Sequence, residues 1–337
     1  MSGAVHLVTR LNVGGIARFL ATGRDAVDLL VRGRVEAGER EAVWAGPQRP
    51  LAGLRRSLRP ADDLRALAGL RRLLARLRPA LLHTHASKAG ALGRLAARGL
   101  GIPVVHTFHG HVLDGYFPAP LSRLFLLIER KLARFARITA TGPATARALE
   151  ARLGVPVEVI PPGVALHAPS PGARERLRAS FGSPERVALA VGRGAAVKDH
   201  ARFVEAARRA GFLPVVAGAQ QVAGALALGH VEAMQDLYAA SDVVVSSSRA
   251  EGTPYALLEA AFCGRPVVAT PVGDVPWIVG AGGICDEDLA AGLVRLRDPG
   301  LREAMGRTAA ADVRARFPAH ALAPRLRNLY AEVARGF

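Results

Sequence analysis

Aromatic residues, cysteines and long apolar runs are all scarce in this chain of 337 residues. Phe, Trp and Tyr make up 5% of a sequence that is 50% hydrophobic, so its cores have to be built mainly from Leu, Val and Ala. Two cysteines, Cys263 and Cys285, are too few for a disulfide framework and favour a reducing compartment, which we expect to be the cytoplasm. No apolar run approaches the roughly 18 residues of a membrane-spanning helix, and the N-terminus resembles a strand rather than a signal peptide.

Acidic residues are also outnumbered, because 45 Lys and Arg face 28 Asp and Glu and leave a net charge of +17. This excess predicts an anionic partner: nucleic acid, an anionic membrane surface or a phosphorylated ligand. Aromatic residues interleaved with basic ones, which RNA-binding surfaces use, are missing, so we do not expect nucleic acid. In residues 54–79 leucines recur at helical spacing and arginines cover the other face. That face is either solvated or in contact with an anionic membrane.

Strand-like and helix-like segments alternate along the chain, with the first strand predicted at residues 4–9 and a second at residues 41–45. Such alternation is typical of parallel sheets covered by helices on both faces. A loose stretch after Gly163, VALHAPSPG, is the best linker candidate. The predicted architecture is α/β, with two Rossmann-like doubly wound parallel-sheet domains that face a central cleft. Their boundaries are 1–163 and 164–317, and a C-terminal helix in 318–337 packs back toward the first domain.

The segment EGTPYALLE carries one glutamate at each end of a predicted loop-to-helix transition. Thr253 is predicted to be the N-cap of the helix and Pro254 its first residue. Because the start of a helix attracts anions, Glu251 and Glu259 could bind the hydroxyls of a ligand whose phosphate meets the helix. The simpler alternative is one glutamate on a surface loop and one on a solvated helix face.

In open α/β sheets, ligands bind beyond the carboxyl ends of the strands, so residues that follow the strands are candidates. Gly14 and Gly15 follow the first strand, where glycine permits a tight turn and a close approach of the backbone to a ligand. Arg193 and Lys198 follow a strand of the second predicted domain. Two cations, two carboxylates and a glycine turn would suit a diphosphate with a ribose on one side and a sugar on the other.

Five histidines lie in or after two strands of the first predicted domain: His83, His85, His106, His109 and His111. A zinc site is one interpretation, but no cysteine accompanies them and no HxxxH pattern occurs on a helix, so we predict no metal site. His83 and His85 share one strand face, where they could simply pack. His109 follows an apolar strand and precedes Gly110, so we predict that it contacts a sugar or stabilises charge.

The DED string at residues 286–288 also has two interpretations. Acidic residues at this spacing can hold a divalent metal. Because a helix is predicted to follow, we favour Asp286 as its N-cap, with Glu287 and Asp288 in the first turn.

At this point the chain resembles the retaining glycosyltransferases of family 4, which have the GT-B fold, over nearly its whole length. The matching segments are TRLNVGGIAR, HTHASKAGALGRLAAR, HTFHGHVLDGYF, VIPPGV, VGR…K, LYAASDVVV and EGTPYALLEAAFCGRPVVAT. The last of these, with its Glu-x7-Glu spacing, is fairly specific in combination with VGR…K. HTFHGH followed by GYF resembles bacterial members that build cell-surface polysaccharides.

The resemblance implies that the second domain holds a nucleotide-diphosphate sugar, expected to be UDP-linked, and that the first holds the acceptor. Arg193 and Lys198 would then bind the diphosphate and stabilise it as it leaves. Glu259 would bond the ribose hydroxyls and Glu251 the donor sugar, with His109 against the sugar at the reaction centre. Further contacts to the donor would come from Gly14, Gly15, Gly252, Thr253, Pro254 and Leu257.

The implied reaction is transfer with retention at the anomeric carbon, without a metal because the two cations take its role. The acceptor would be a saccharide or a polyprenyl-linked saccharide in cell-envelope glycan synthesis. The enzyme would work in the cytoplasm, peripherally on the inner face of the cell membrane. Residues 219–227 are shorter than the glycine-rich loop and helix that the family has there. This departure motivates an alternative, a degenerate GT-B protein that binds a nucleotide sugar or a partner without turnover.

Overall fold

The computed structural model describes residues 3–110 and 119–336. The chain divides into two compact units, of which one comprises Met1–Gly163 and Ala319–Phe337 and the other Val164–Pro318. Each unit is built on its own parallel β-sheet with helices between the strands. The predicted class of two α/β domains with parallel sheets is therefore confirmed.

The first unit has a seven-stranded sheet. Its strands are β1 (Ala4–Val8), β2 (Leu29–Arg32), β3 (Gln48–Pro50), β4 (Leu81–His85), β5 (Val104–Phe108), β6 (Arg137–Ala140) and β7 (Val157–Val159). Its helices are α1 (Gly15–Thr22), α2 (Pro60–Leu77), α3 (Ser87–Ala97), α4 (Ala119–Ala133) and α5 (Pro143–Leu153), and the last helix of the chain, α13 (Leu322–Arg335), completes it. The strand order is β3-β2-β1-β4-β5-β6-β7. Every residue of β1, β4 and β5 is buried, because helices cover both faces of the sheet centre.

The second unit has a six-stranded sheet. Its strands are β8 (Val187–Val191), β9 (Leu213–Ala217), β10 (Leu226–Ala227), β11 (Val243–Ser246), β12 (Val267–Ala269) and β13 (Gly283–Cys285). Its helices are α6 (Ala173–Ser180), α7 (His200–Arg209), α8 (Met234–Ala240), α9 (Tyr255–Phe262), α10 (Val275–Val279), α11 (Leu289–Arg295) and α12 (Pro299–Arg316). The strand order is β10-β9-β8-β11-β12-β13. The shortened segment at 219–227 ends in β10, which pairs with β9 and forms the edge of the sheet.

The register of the first sheet places buried histidines side by side. His6 on β1 pairs with His83 on β4, and His85 pairs with Thr107 on β5. Since paired residues of neighbouring strands point to the same face, and so do residues two apart on one strand, these four side chains share one face. The adjacent position on β5 carries His106, which points to the opposite face.

Helix α13 packs on that histidine face of the first unit. Its buried residues are Leu322, Ala323, Leu326, Leu329 and Tyr330. The hydroxyl of Tyr330 lies 2.6 Å from Nδ1 of His83 and 3.0 Å from Nε2 of His6. The C-terminal segment thus supplies both apolar cover and a polar partner to the centre of the sheet.

The strand predicted at residues 41–45 was wrong. Two other short strands, β2 and β3, lie between β1 and α2 in the sequence and extend the sheet beyond β1. Glu41 makes only an isolated bridge with Asn12. The alternation around Trp44 reflects local packing instead, because Trp44 is buried in a small apolar cluster with Leu11 and Leu20.

The arginine-rich helix at residues 54–79 is α2, and its leucine face lies inside the first unit. Leu70, Leu73 and Leu74 are buried in the core, which leaves mainly the arginine face exposed. An apolar face on α2 is therefore not available to a membrane. Across residues 3–110 and 119–336, no helix has both the length and the apolar character that crossing a bilayer requires.

Candidate functional site

A charged pair lies at the carboxyl edge of the second sheet, where β8 and β11 end. Lys198 closes a short 3-10 turn after β8, and its Nζ donates to Oε1 of Glu251 over 2.5 Å. The same carboxylate oxygen accepts a hydrogen bond from the Ser248 hydroxyl at 2.6 Å. The side chains of Lys198 and Glu251 remain 25% and 12% exposed, so a solute can reach both charges.

Backbone contacts hold Lys198 in this position. The Ser247 hydroxyl bonds the carbonyl oxygens of Lys198 and Asp199, at 2.9 and 2.8 Å. The lysine side chain lies against Gly192, where an added Cβ would come within 3.1 Å of Lys198 Cδ. Gly192 therefore gives the lysine stem room to run along the end of β8.

Arg193 lies at the same strand end with an exposed side chain. Its carbonyl oxygen is 3.1 Å from Nε2 of His200, the first residue of α7, which ties this loop to the helix. The structure thus brings Arg193 and Lys198 to one strand end as cations, as their place in the sequence predicted. Such an edge attracts an anionic ligand.

Glu259 lies within α9 and is only 6% exposed. Its Oε2 accepts a hydrogen bond of 3.0 Å from the hydroxyl of Tyr238, a fully buried residue of α8. A buried carboxylate needs partners of this kind, and the phenol also fixes the orientation of the group. Burial and then the charge of Glu259 raise the pKa of the neighbouring Cys263 thiol to about 11. Sequence reasoning missed Tyr238, since no spacing links it to Glu259.

The predicted start of the helix after Glu251 was wrong by one residue. Helix α9 begins at Tyr255, and Pro254 precedes it in an extended conformation. Thr253 does not cap the helix, because its buried hydroxyl bonds Oδ2 of Asp274 at 3.3 Å. Leu257 packs in the apolar core, and its backbone N–H donates to the Pro254 carbonyl. For Leu257 the structure therefore indicates a packing role.

Gly273 and Gly252 shape the loop that carries Glu251. Gly273 has φ +54°, and a Cβ there would lie 1.9 Å from the carbonyl oxygen of Glu251. The Gly252 carbonyl accepts a hydrogen bond from the backbone N–H of Asp274 at 3.3 Å. Only glycine at position 273 lets the two loops approach so closely. No sequence pattern predicts this contact, because Gly273 resembles an ordinary turn residue.

The acidic string at residues 286–288 begins helix α11, but the N-cap prediction was off by two residues. Asp288 is the cap, and its Oδ1 accepts from the N–H of Ala291 at 3.0 Å. Asp286 instead accepts from the N–H of Asp288 at 2.9 Å. Both carboxylates therefore hold the turn together.

In the first unit, the glycine turn follows β1 and His109 follows β5, and β4 lies between these two strands. Gly14 has φ +155° and open space beside it, and α1 starts at Gly15. Phe19 of α1 packs edge-on against the His109 ring, with 4.9 Å between the centroids. His111 lies outside the described residues.

Behind His109 the histidines form a chain of hydrogen bonds. Nε2 of His109 lies 3.0 Å from Nδ1 of His85, and Nε2 of His85 lies 3.0 Å from Nδ1 of His6. Nε2 of His6 in turn lies 3.2 Å from the Ala26 carbonyl oxygen. Burial lowers the pKa of both His6 and His109 to about 3. Burial, reinforced by the neighbouring histidines, holds the pKa of His85 well below its usual value.

The ring nitrogens of His6, His83 and His85 lie within 4.8 Å of one another, a spacing that could accommodate a metal ion. Their nitrogens already have hydrogen-bond partners: His83, for example, bonds Tyr330 and Thr107, both at 2.6 Å. The absence of a metal stays a prediction. His6 was not among the residues predicted from the sequence. Its place on the first strand, paired with His83 of β4, puts it on the face that His83 and His85 share, and this placement could have identified it.

A depression of about 340 Å³ lies elsewhere on the second unit. Its lining includes Asp242, which precedes β11, and Arg174, whose guanidinium binds that carboxylate at 2.8 Å. It therefore lies at the amino ends of the strands and contains none of the predicted site residues.

The fold matches two solved structures over almost the whole chain. Sucrose-phosphate synthase from Thermosynechococcus elongatus matches with a TM-score of 0.82 and 19% identity, covering 99% of this chain and 100% of that one. HepE from Anabaena, in complex with UDP and glucose, matches with a TM-score of 0.83 and 19% identity, covering 98% and 100%. The fold is that of the GT-B glycosyltransferases.

The sequence comparisons identify the family. The family model Glycosyltransferase Family 4 matches residues 13–168, and Glycosyl transferases group 1 matches residues 185–299. A D-inositol 3-phosphate glycosyltransferase of Actinosynnema mirum is 30% identical, over 79% of this chain and 76% of that protein. This chain belongs to glycosyltransferase family 4. The family and the transferase class predicted from the motifs are confirmed.

Proposed function

We propose that this enzyme transfers a sugar from a nucleotide-diphosphate sugar, with UDP as the nucleotide, to a saccharide or polyprenyl-linked saccharide, and that it retains the anomeric configuration. The observation that carries the proposal is the accessible Lys198–Glu251 pair beside Arg193. A UDP-linked donor is supported by the HepE complexes, which hold UDP, UDP and glucose, or UDP-glucose. Polysaccharide synthesis at the cell envelope is the process that this acceptor class implies.

The charges of the pair suit a donor that carries both phosphate and hydroxyl groups. A diphosphate brings more negative charge to Nζ of Lys198 than the single Glu251 carboxylate does, so it competes for the ammonium. Glu251, which keeps its bond to Ser248, then accepts hydrogen bonds from the donor sugar. Glu259, oriented by Tyr238, accepts from the ribose hydroxyls. One donor thus engages both glutamates and both cations.

The chemical step is helped by charge stabilisation. As the bond between the anomeric carbon and the diphosphate breaks, negative charge grows on the leaving phosphate oxygens. Arg193 and Lys198 stabilise that charge, so the reaction needs no divalent metal. Transfer is therefore expected to persist in EDTA, and NMR of the product is expected to show the anomeric configuration of the donor.

Thermal unfolding in the presence of a panel of nucleotide sugars tests the donor site. A UDP-sugar at about 100 times its Kd is expected to stabilise the protein by about 2.7 kcal/mol, whereas GDP- and ADP-sugars are not. Glu259→Ala should lose this response, while Glu205→Ala, at an exposed position of α7, should keep it. Stabilisation by none of the donors would contradict the proposed site. Binding without hydrolysis or transfer would instead favour the degenerate, non-catalytic alternative.

We further propose that the enzyme works on the cytoplasmic face of the cell membrane and that α4 makes the contact. Leu124, Leu127 and Ile128 occupy one face of α4 and are 51%, 55% and 39% exposed. The same helix carries exposed basic residues, namely Arg123, Arg130 and Lys131. An exposed apolar face with adjacent cations suits an anionic leaflet, where a polyprenyl-linked acceptor resides.

Co-sedimentation with anionic vesicles at low salt tests this contact. The double variant Leu124→Ser/Leu127→Ser is expected to lower the bound fraction at least about fivefold, because it removes apolar area from the interface. Leu64→Ser provides a matched control, since Leu64 is 67% exposed on α2. An equal decrease of the bound fraction in Leu64→Ser and in Leu124→Ser/Leu127→Ser would contradict the assignment of the membrane contact to α4. So would a failure of the unaltered enzyme to sediment with the vesicles.

A further inference from the structure

The proton positions in the histidine chain follow from its one fixed end. The Ala26 carbonyl oxygen can only accept a hydrogen bond, so Nε2 of His6 must carry a proton to bond it. His6 is fully buried and neutral, which leaves its Nδ1 without a proton. Nδ1 can then only accept, and its partner has to be a donor.

The same argument passes along the chain to His109. Nε2 of His85 must donate to His6, so Nδ1 of neutral His85 is an acceptor. Nε2 of His109 must then donate to His85. The nitrogen of His109 that remains without a proton is Nδ1.

Tyr330 and His83 fit this assignment without conflict. The single Nε2 proton of His6 is shared between the Ala26 carbonyl oxygen and the Tyr330 oxygen, and the Tyr330 O–H donates to Nδ1 of His83. Nε2 of His83 then donates to Thr107, whose hydroxyl donates to Thr139 at 2.6 Å. The whole buried network has one consistent set of protons.

We infer that His6 and His85 are positioning residues, which fix the proton of His109 on Nε2 so that its Nδ1 accepts a hydrogen bond from a sugar hydroxyl. The identity of that ligand rests on the proposed function, whereas the proton assignment does not. A protonated His109 would have no acceptor nitrogen, so the ring must stay neutral to play this part.

Burial and the groups around the hydrogen-bonded histidines keep their rings neutral. The titratable groups that act electrostatically on His85 are His6 on β1, His83 on β4, His109 after β5 and, from the opposite face of the sheet, His106 on β5. Tyr330 of α13 faces His6 and His83. Of the charged groups, Arg94 acts on His106 and Asp28 on Tyr330. Burial is the main cause that lowers the pKa of each ring in this group.

Long-range 1H–15N NMR of histidine-labelled, ligand-free enzyme tests the assignment directly. We expect His6, His85 and His109 to hold their protons on Nε2, and His109 to show no titration between about pH 6 and pH 8, where the first unit is folded. A proton on Nδ1 of His109, or titration near pH 6.5, would overturn the inference. So would a stoichiometric metal ion bound by His6 and His85 in the purified enzyme.

The variant His85→Phe tests the consequence for transfer. It removes the acceptor of the His109 Nε2 proton while the site stays buried, so in long-range 1H–15N NMR of the variant the proton of His109 is expected on Nδ1 as well as on Nε2. At pH 8, kcat/KM should then fall roughly tenfold, the effect of losing about one hydrogen bond to the sugar. Thr107→Val removes a partner of His83 and of Thr139 but none of His6, His85 or His109, so it should keep the proton of His109 on Nε2.

The outcomes separate the two proposals. A loss of activity in His85→Phe while the proton of His109 stays on Nε2 would indicate a structural role and would contradict the inference. If His85→Phe does not fold, the NMR of the unaltered enzyme still decides the matter. If no nucleotide sugar is turned over while the NMR result holds, the proposed function fails and the proton assignment stands.

Discussion

Replacing Lys198 with methionine is expected to lower kcat by about 10²–10³-fold, the usual loss when one group that stabilises developing negative charge is removed. Methionine keeps the length of the lysine stem beside Gly192 and removes only the ammonium. Only one cation, Arg193, then remains at the strand end to stabilise the leaving diphosphate.

The fold should tolerate this change. Glu251 loses its ion pair but keeps the hydrogen bond from Ser248, and the pair is partly exposed to solvent. The free energy of unfolding is therefore expected to change by less than about 1 kcal/mol. A loss of activity without a loss of stability would assign the lysine to chemistry.

Steady-state kinetics with the best UDP-sugar, together with thermal unfolding, measure both quantities. Arg209→Met is the matched control, because it removes an exposed cation from α7 of the same unit and should turn over normally. Lys198→Arg keeps the charge and should recover part of the activity. Turnover by Lys198→Met at the rate of the unaltered enzyme would remove Lys198 from the mechanism.

The sequence alone was sufficient for the class of two α/β domains with parallel sheets and for the charged residues of the second unit, although not for β2 and β3 of the first sheet. Carboxyl ends of parallel strands meet at one edge, so Arg193, Lys198 and Glu251 could be placed there from strand positions alone. Glu259 followed from the helix that begins just after Glu251. These placements follow from local sequence patterns and from the topology of parallel sheets, and both can be inferred from a single sequence.

Contacts between distant segments could not be predicted in this way. The Thr253 hydroxyl bonds Asp274 rather than capping its own helix, because a tertiary partner replaced the local one. Tyr330 meets His6 across 324 positions of sequence. Trp44 sits in a strand-like pattern but packs in a small cluster beside the sheet. In each case the position of the side chain is set by a contact with a distant segment, which the neighbouring residues in the sequence do not indicate.

Mild acid is expected to unfold the first unit before the second. His6, His83, His85 and His106 are fully buried there, and burial holds the pKa of each below its usual value. Unfolding restores an ordinary pKa of about 6.5, so the unfolded state binds more protons than the folded state as pH falls below that value. The stability that the neutral rings confer is therefore present above about pH 6.5 and is lost toward the folded pKa, which for His6 is about 3.

The expected size of this loss is large. Each buried histidine removes about 1.4 kcal/mol of stability for each pH unit below its unfolded pKa. At about pH 5.5, four such residues remove on the order of 5 kcal/mol, which is comparable with the whole stability of a typical domain. The second unit has no such cluster among its three histidines, since His167 and His230 are exposed and His200 is partly buried.

The two tryptophans of the chain allow the units to be followed separately. Trp44 is buried in the first unit, whereas Trp277 packs against Phe317 in the second. Trp277→Phe leaves a reporter for the first unit, and Trp44→Phe leaves one for the second. In acid titrations of the full chain, the Trp44 fluorescence should change near pH 5–6 and the Trp277 fluorescence only at lower pH. Coincident transitions, or an earlier change at Trp277, would show that the buried histidines do not set the acid stability of the first unit.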